Sequence, residues 1–351
     1  MTKASASELR RLRLAAQGLA AERPSSVTDA ARRLLAVQAQ DLPAARWALG
    51  ARVPDSVDQD VTDAIDSGAL VRHWPLRGTL QLVTREDLRW LLELTAERQW
   101  RAAARIRESW GVTVDLLATA RQASVAALEG GRALTRAELS TVLETAGVAM
   151  GGGRGYQVIS ALAITGTLVW AASSGSTQRL ALLDEWVPAA PAVDRDEALE
   201  RLVTRYLAGH GPATAADLVW WAGIPVSWVR RGADAARVGL LEVDGTSYLI
   251  DQASAPPPAP RGALLLPAFD EYLLGYQQRD LVLPPRYRDR VAPQRNGRFL
   301  PIVVSAGRIV GTWSDEGDTV RARPFDEASP LSAASVARSA ERYRLFRAAA
   351  G

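Results

Sequence analysis

One pattern comes three times along the chain and limits its fold more than any other feature. A hydroxyl residue stands three positions before an acid at Ser26 and Asp29, Thr135 and Glu138, and Thr214 and Asp217. This is the spacing of a capping box, which starts a helix. An apolar helical run follows each: Leu34 and Val37, then Leu139, Val142 and Leu143, then Leu218, Trp221 and Ala222. Gly147 and Gly223 stop the second and third runs, as left-handed C-caps do. Further on, a glycine enters an apolar strand in Ser67-Gly68-Ala69-Leu70, Thr165-Gly166-Thr167-Leu168 and Val238-Gly239-Leu240-Leu241. A turn and a second short strand follow each, the turns being 75–78, 173–176 and Asp244-Gly245. Asp-Gly between apolar runs is the strongest short hairpin signal.

The repeated unit reads as helix, helix-turn-helix, then β-hairpin, which is the winged-helix plan. A helix precedes the third unit, with Leu199, Leu202, Val203, Tyr206 and Leu207 spaced i, i+3, i+4, i+7, i+8. Irregular spacing between units marks a tandem array, not a short-period solenoid. A Pro-rich linker at Ala255–Pro260 ends the third unit. Beyond it, Gly262–Ala268, Leu300–Ala306 and Arg308–Trp313 read as strands. Gly307 makes the turn between the last two, and Ser329-Pro330 starts a final helix through about Ala349. The expected fold class is α+β, three tandem winged-helix units followed by a β-rich C-terminal domain. The boundaries are 1–110, 111–190, 191–254 and 261–351.

Composition excludes several chemistries. The 351 residues contain no cysteine, so there is no disulfide, thiolate nucleophile or zinc-thiolate site. His73 and His210 are the two histidines, too few for a His-based metal centre. Lys3 is the single lysine among 42 basic residues, which removes a phosphate-loop lysine and a pyridoxal Schiff base. Neither metal nor cofactor is expected. The net charge of +3 permits nucleic-acid binding without demanding it. No apolar stretch approaches the ~18 residues of a membrane span. The first residues carry no secretory core, so a cytoplasmic, nucleoid-associated protein is expected.

Four stretches hold candidate chemistry. Gln38 and Gln40 lie near a helix end before Pro43. They are either two solvated polar residues or, where the helix unwinds, a convergent pair, since i and i+2 do not share a helical face. Arg72, His73, Trp74, Arg77, Thr79 and Gln81 fall on the first hairpin. That wing either meets DNA through basic and aromatic side chains or holds Trp74 in the core with its arginines in solvent. Asp270-Glu271 reads as an acidic helix start after a strand. Gly151-Gly152-Gly153-Arg154-Gly155 lacks the lysine and preceding strand of a phosphate cradle and reads as a flexible loop.

Several of these segments, taken in order, resemble the bacterial winged-helix DNA glycosylases of the AlkZ and YcaQ type. They are Gln38-Ala39-Gln40-Asp41 with Ala44-Ala45 and Arg52; Trp74-Pro75-Leu76-Arg77-Gly78-Thr79-Leu80, then Asp87; Leu266-Pro267-Ala268-Phe269-Asp270-Glu271-Tyr272; and Gly307-Arg308-Ile309-Val310-Gly311-Thr312-Trp313. The resemblance runs over nearly the whole chain. It implies a clamp of three winged helices with a C-terminal β-rich element, and a catalytic Gln-apolar-Gln motif at Gln38 and Gln40. It also implies excision of bulky N7-alkylguanine adducts, unhooking of crosslinks, and self-resistance in producers of genotoxic metabolites. Gln81 stands where the family often has His, and the central motif residue is the small Ala39.

The chemistry suits glutamines only for certain substrates. An N7-alkylated purine is already cationic and leaves without protonation, so water must be positioned and an oxocarbenium-like sugar stabilised. A glutamine amide accepts from the water and donates to fix its own orientation, but it is not a strong base. With Lys3 and the chain amino terminus the only amines, Schiff-base lyase chemistry is not expected. The expected partner is double-stranded DNA carrying alkylated purines, with no membrane and, for a tandem clamp, no second subunit. The rival readings are a non-catalytic DNA-binding protein or regulator, and a hydrolase built on Asp270 and Glu271.

Overall fold

The computed structural model describes all residues except 1, 175, 176, 252–256, 259–261, 295, 296, 318, 327–330 and 349–351. Residues 175 and 176 of the second turn, most of the Pro-rich linker and the Ser329-Pro330 helix start lie outside the described residues. The chain forms two compact units, Met1–Thr62 with Leu199–Gly351, and Asp63–Ala198.

In chain order, β1 (Thr2–Lys3) and α1 (Ala6–Ala16) precede a first run: α2 (Val27–Leu34), β2 (Val37–Gln38), α3 (Leu42–Gly50), α4 (Asp58–Asp66), β3 (Leu70–Leu76) and β4 (Thr79–Thr84). Two helices, α5 (Arg85–Ala102) and α6 (Ala104–Ser109), lead to a second run. It comprises α7 (Val114–Leu128), β5 (Leu134–Thr135), α8 (Arg136–Thr145), α9 (Arg154–Ile164), β6 (Leu168–Ser174) and β7 (Thr177–Leu182), and the short α10 (Leu183–Trp186) follows. The third run is α11 (Arg195–His210), α12 (Ala215–Ala222), α13 (Val226–Ala235), β8 (Gly239–Val243) and β9 (Thr246–Ile250). The last segment holds β10 (Ala263–Leu266), α14 (Glu271–Leu274), α15 (Arg288–Val291), β11 (Ile302–Ser305), β12 (Arg308–Asp315), β13 (Val320–Pro324) and α16 (Ala333–Ala348).

Three helices followed by a hairpin thus come three times, as the sequence pattern predicts. The caps are as expected at the second and third runs, where Thr135–Glu138 and Thr214–Asp217 form reciprocal capping boxes. Gly147 and Gly223 take left-handed backbone angles after α8 and α12. The first run differs by one helix. Ser26 caps the first helix of its triplet, whereas Thr135 and Thr214 cap the second of theirs. Asp41 caps the second helix, α3, by accepting from Ala44 N–H. Val37 is not helical either: α2 ends at Leu34 and Val37 lies in β2.

Within the larger unit, β1 joins the β8–β9 hairpin as a third, parallel strand. Leu9 and Leu12 of α1 pack there with Leu241 and Val243. The C-terminal strands form an antiparallel sheet in the order β10-β11-β12-β13, one strand more than expected. Ser339 of α16 donates to Ala263 O at the start of β10. Trp47 and Trp313 donate to the carbonyls of Leu265 and Leu266, both at 2.8 Å, which fixes the end of β10 just before Asp270.

Within the smaller unit the strands run β4-β3-β6-β7-β5. Its core gathers Trp74 and Leu80 with Leu139, Leu143, Val158, Ile159 and Leu162 of α8 and α9. Gly151–Gly153 is a turn with a structural reason for its composition. The Trp110 ring lies so close that a Cβ on Gly153 would sit 2.4 Å from it.

Candidate active site

The two glutamines are brought together by a break in the backbone. After α2, Leu35 adopts φ 63 and ψ −45, and Ala36 N–H donates to Leu34 O at 2.7 Å. This is a γ-turn, a strained conformation for a residue with a Cβ, costing on the order of 1–3 kcal/mol. It turns the chain out of the helix and into the extended Val37–Gln38 segment. In extended backbone, residues i and i+2 point to the same side. Gln38 Nε2 accordingly donates to Gln40 Oε1 at 2.9 Å. Gln38 is buried and Gln40 is exposed. The bond fixes the Gln38 amide with its Oε1 left as an acceptor.

Behind this segment lies a buried polar network built from the Asp270-Glu271 pair. Asp270 caps α14 and accepts two bonds from Arg52, at 2.8 and 2.9 Å. Both side chains are fully buried. The Arg52 fork also donates to Gln17 Oε1, Gln17 O and Ala48 O. Such a bidentate pair with every other donor used is the geometry in which a buried ion pair is sustained. Glu271 points elsewhere: its Oε1 accepts from the Gln38 backbone N–H at 3.2 Å and its Oε2 from Trp221 Nε1 at 2.9 Å. His210 Nε2 lies 3.3 Å from Oε2. His210 itself stacks on Tyr206, with ring centroids 4.7 Å apart. Tyr276, which donates to His210 O, has its phenol pushed up to about 12, chiefly by burial. Tyr206 is raised well above its ordinary value for the same first reason. Both phenols therefore stay neutral donors.

Asp270-Glu271 begins a helix, as its sequence suggests, yet each carboxylate is committed to a distant partner. Local sequence carried no sign of this. Arg52 and Asp270 each stand in a family-like segment, but nothing in the sequence pairs them.

The first hairpin belongs to the other unit and divides its six candidate residues evenly. Arg77 (φ 53) and Gly78 (φ 65) make the two-residue turn, tighter than the span 75–78 suggested by sequence. Arg72, Arg77 and Thr79 are half-buried. Arg72 donates to Gln178 Oε1 at 2.8 Å. His73, Trp74 and Gln81 are buried. Trp74 donates to Tyr156 OH at 3.1 Å within the core. Gln81 Nε2 donates to Thr79 Oγ1. His73 Nε2 faces Leu168 O at 3.1 Å, and burial pushes its pKa down to about 4, so it is a neutral donor there. A strand bulge between His73 and Leu76 turns Trp74 inward, which strict alternation would not have placed. Among the described residues there is no cluster of three His, Cys, Asp or Glu able to hold a metal ion.

A fold of helix-triplet-and-hairpin runs defines a class of DNA-binding architecture. The comparisons identify that class. A family model of AlkZ-like DNA glycosylases matches residues 31–346. An interstrand DNA cross-link repair glycosylase of Streptomyces sahachiroi is 30% identical over 367 residues, covering 96% of this chain and 95% of that protein. The solved structure of the Streptomyces sahachiroi DNA glycosylase AlkZ superimposes with a TM-score of 0.83 at 25% identity, covering 98% of this chain and 97% of that one. The chain belongs to the AlkZ-like DNA glycosylase family.

Proposed function

We propose that this glycosylase hydrolyses the N-glycosidic bond of cationic N7-alkylguanine lesions in duplex DNA, including bulky adducts and interstrand crosslinks. The observation that carries the reading is the Gln38–Gln40 hydrogen bond on a tethered backbone. It leaves one amide carbonyl oriented to accept from a water and presents the partial negative charge of that dipole to a developing oxocarbenium. No acid is needed when the leaving base is already positive. The similarity to a cross-link repair glycosylase favours bulky substrates.

In this reading Gln38 and Gln40 are catalytic. Arg72, Arg77 and Thr79 on the first hairpin contact DNA, while His73, Trp74 and Gln81 shape the hairpin from within. The segments 1–110, 111–190 and 191–254 act as three winged-helix domains, and 261–351 braces the first. The enzyme works as a monomer on chromosomal DNA and serves repair or self-resistance against an alkylating metabolite.

The test is a gel assay on duplexes carrying N7-methylguanine or a bulky N7-guanine adduct, with alkali to reveal abasic sites. A no-protein lane corrects for spontaneous depurination. Gln38→Ala and Gln40→Ala should each lower the single-turnover rate constant on the order of 10²-fold or more, with duplex affinity little changed. Duplex binding without excision of either substrate would instead mark a non-catalytic DNA-binding protein.

A further inference from the structure

We propose that Glu271 is a positioning residue of the glycosylase reaction, one that holds the Gln38 backbone in the conformation that pairs the two glutamines. The inference rests on the glycosylase reading above.

Leu35, with φ 63, is held in a turn that a leucine does not adopt by preference, and its side chain is fully buried. A strained turn persists only where surrounding contacts over-determine it. Three residues later the Gln38 N–H needs an acceptor, because it is buried and a buried donor without one is costly. The acceptor is a carboxylate 233 residues away in sequence, Glu271 Oε1 at 3.2 Å. That carboxylate is only 1% exposed, and its other oxygen is fixed by Trp221 Nε1 with His210 Nε2 beside it. Its main chain is fixed too. Gln17 Nε2 donates to Glu271 O at 3.0 Å, and the preceding Asp270 is clamped by Arg52. The chain thus places a rigid anion against the Gln38 peptide N–H, which lies between the strained turn and Gln40. Glu271 touches no reacting atom. It acts through the aim of the Gln38 amide, and aim is where small displacements become large rate losses.

The isosteric change is informative because an amide has one acceptor end. In Glu271→Gln, keeping an oxygen on Gln38 N–H turns the NH₂ toward the Trp221 indole N–H, donor against donor. Replacing the indole in Glu271→Gln/Trp221→Phe removes that conflict and lets the amide oxygen serve Gln38.

The experiment compares the full-length wild type, Glu271→Ala, Glu271→Gln, Trp221→Phe and the double variant. It measures the single-turnover excision rate constant at saturating protein on N7-methylguanine duplex, duplex affinity by anisotropy, and Tm. Glu271→Ala should lower the rate constant on the order of 10²-fold while affinity stays within about threefold. Glu271→Gln should also be slow, and the double variant should return to within about fivefold of Trp221→Phe. This rescue is a readout that a merely structural role would not move. Should Glu271→Ala fail to fold, the comparison of Glu271→Gln with the double variant decides. Wild-type rates in Glu271→Ala, or a double variant as slow as Glu271→Gln, overturn the inference while leaving the glycosylase reading intact. A wild type that excises nothing overturns the reading and the inference with it.

Discussion

Arg52 and Asp270 are both fully buried, and neither can lose its partner cheaply. Asp270→Ala leaves a guanidinium in the interior with only carbonyl acceptors, and about 3–5 kcal/mol of stability should be lost in urea unfolding. Asp270→Asn, which keeps one acceptor oxygen and the α14 cap, should lose less. His73 gives stability a pH dependence of definite sign. Burial lowers its pKa from 6.5 to about 4, so the unfolded chain takes up a proton that the folded chain refuses. The contribution is complete above about pH 6.5 and is lost as pH falls toward 4, amounting to about 3 kcal/mol at most. Urea midpoints measured from pH 7.5 to 4.5 should fall more steeply for the wild type than for His73→Gln. Parallel slopes would mean that His73 is accessible to protons in the folded state.

Among the elements, those governed by neighbours in sequence were legible and those governed by distant partners were not. The Thr135 and Thr214 caps, the glycine stops and the Asp244-Gly245 hairpin depend on residues within one turn, and each is where the pattern put it. Leu34-Leu35-Ala36-Val37 reads as one more helical turn. What overrides this is a γ-turn stabilised by tertiary contacts, including the bond from Gln38 to Glu271, and no local propensity encodes that. The two-residue β1 strand escapes notice for the same reason, since its ladder partner is β8. With the first triplet in register, the glutamine segment takes the position before the second helix. There Leu134–Thr135 pairs with β7, and Ala213 bridges to Leu249, in the other two runs. The first hairpin carries a prediction of its own. Arg77 occupies a left-handed position that Asn or Gly would fill with less strain. Arg77→Asn should therefore stabilise the hairpin by a few tenths to about 1 kcal/mol. If Arg77 contacts a phosphate, the same change weakens duplex binding and lowers the salt-dependence slope by about one. Gain of stability with unchanged salt dependence would remove Arg77 from the DNA interface.

For the whole molecule, the decisive property is what its composition withholds. Ninety-six per cent of the chain aligns with a glycosylase, yet Lys3 is its only lysine. Lyase-coupled glycosylases need an amine near the sugar to form a Schiff base. Guanidinium groups stay protonated and are not nucleophiles at neutral pH, so the other 41 basic residues cannot substitute. Lys3 itself sits in β1, 80% exposed and 3.7 Å from Glu242, paired on the strand that extends the third hairpin. Excision should therefore end at an intact abasic strand, cleaved only when alkali is added. Borohydride added during the reaction should trap no covalent protein–DNA species, and Lys3→Arg should excise at the wild-type rate. A trapped adduct that disappears in Lys3→Arg would show that the N-terminal strand reaches the sugar. One that survives would assign the chemistry to the chain amino terminus, and either result would replace water as the proposed nucleophile.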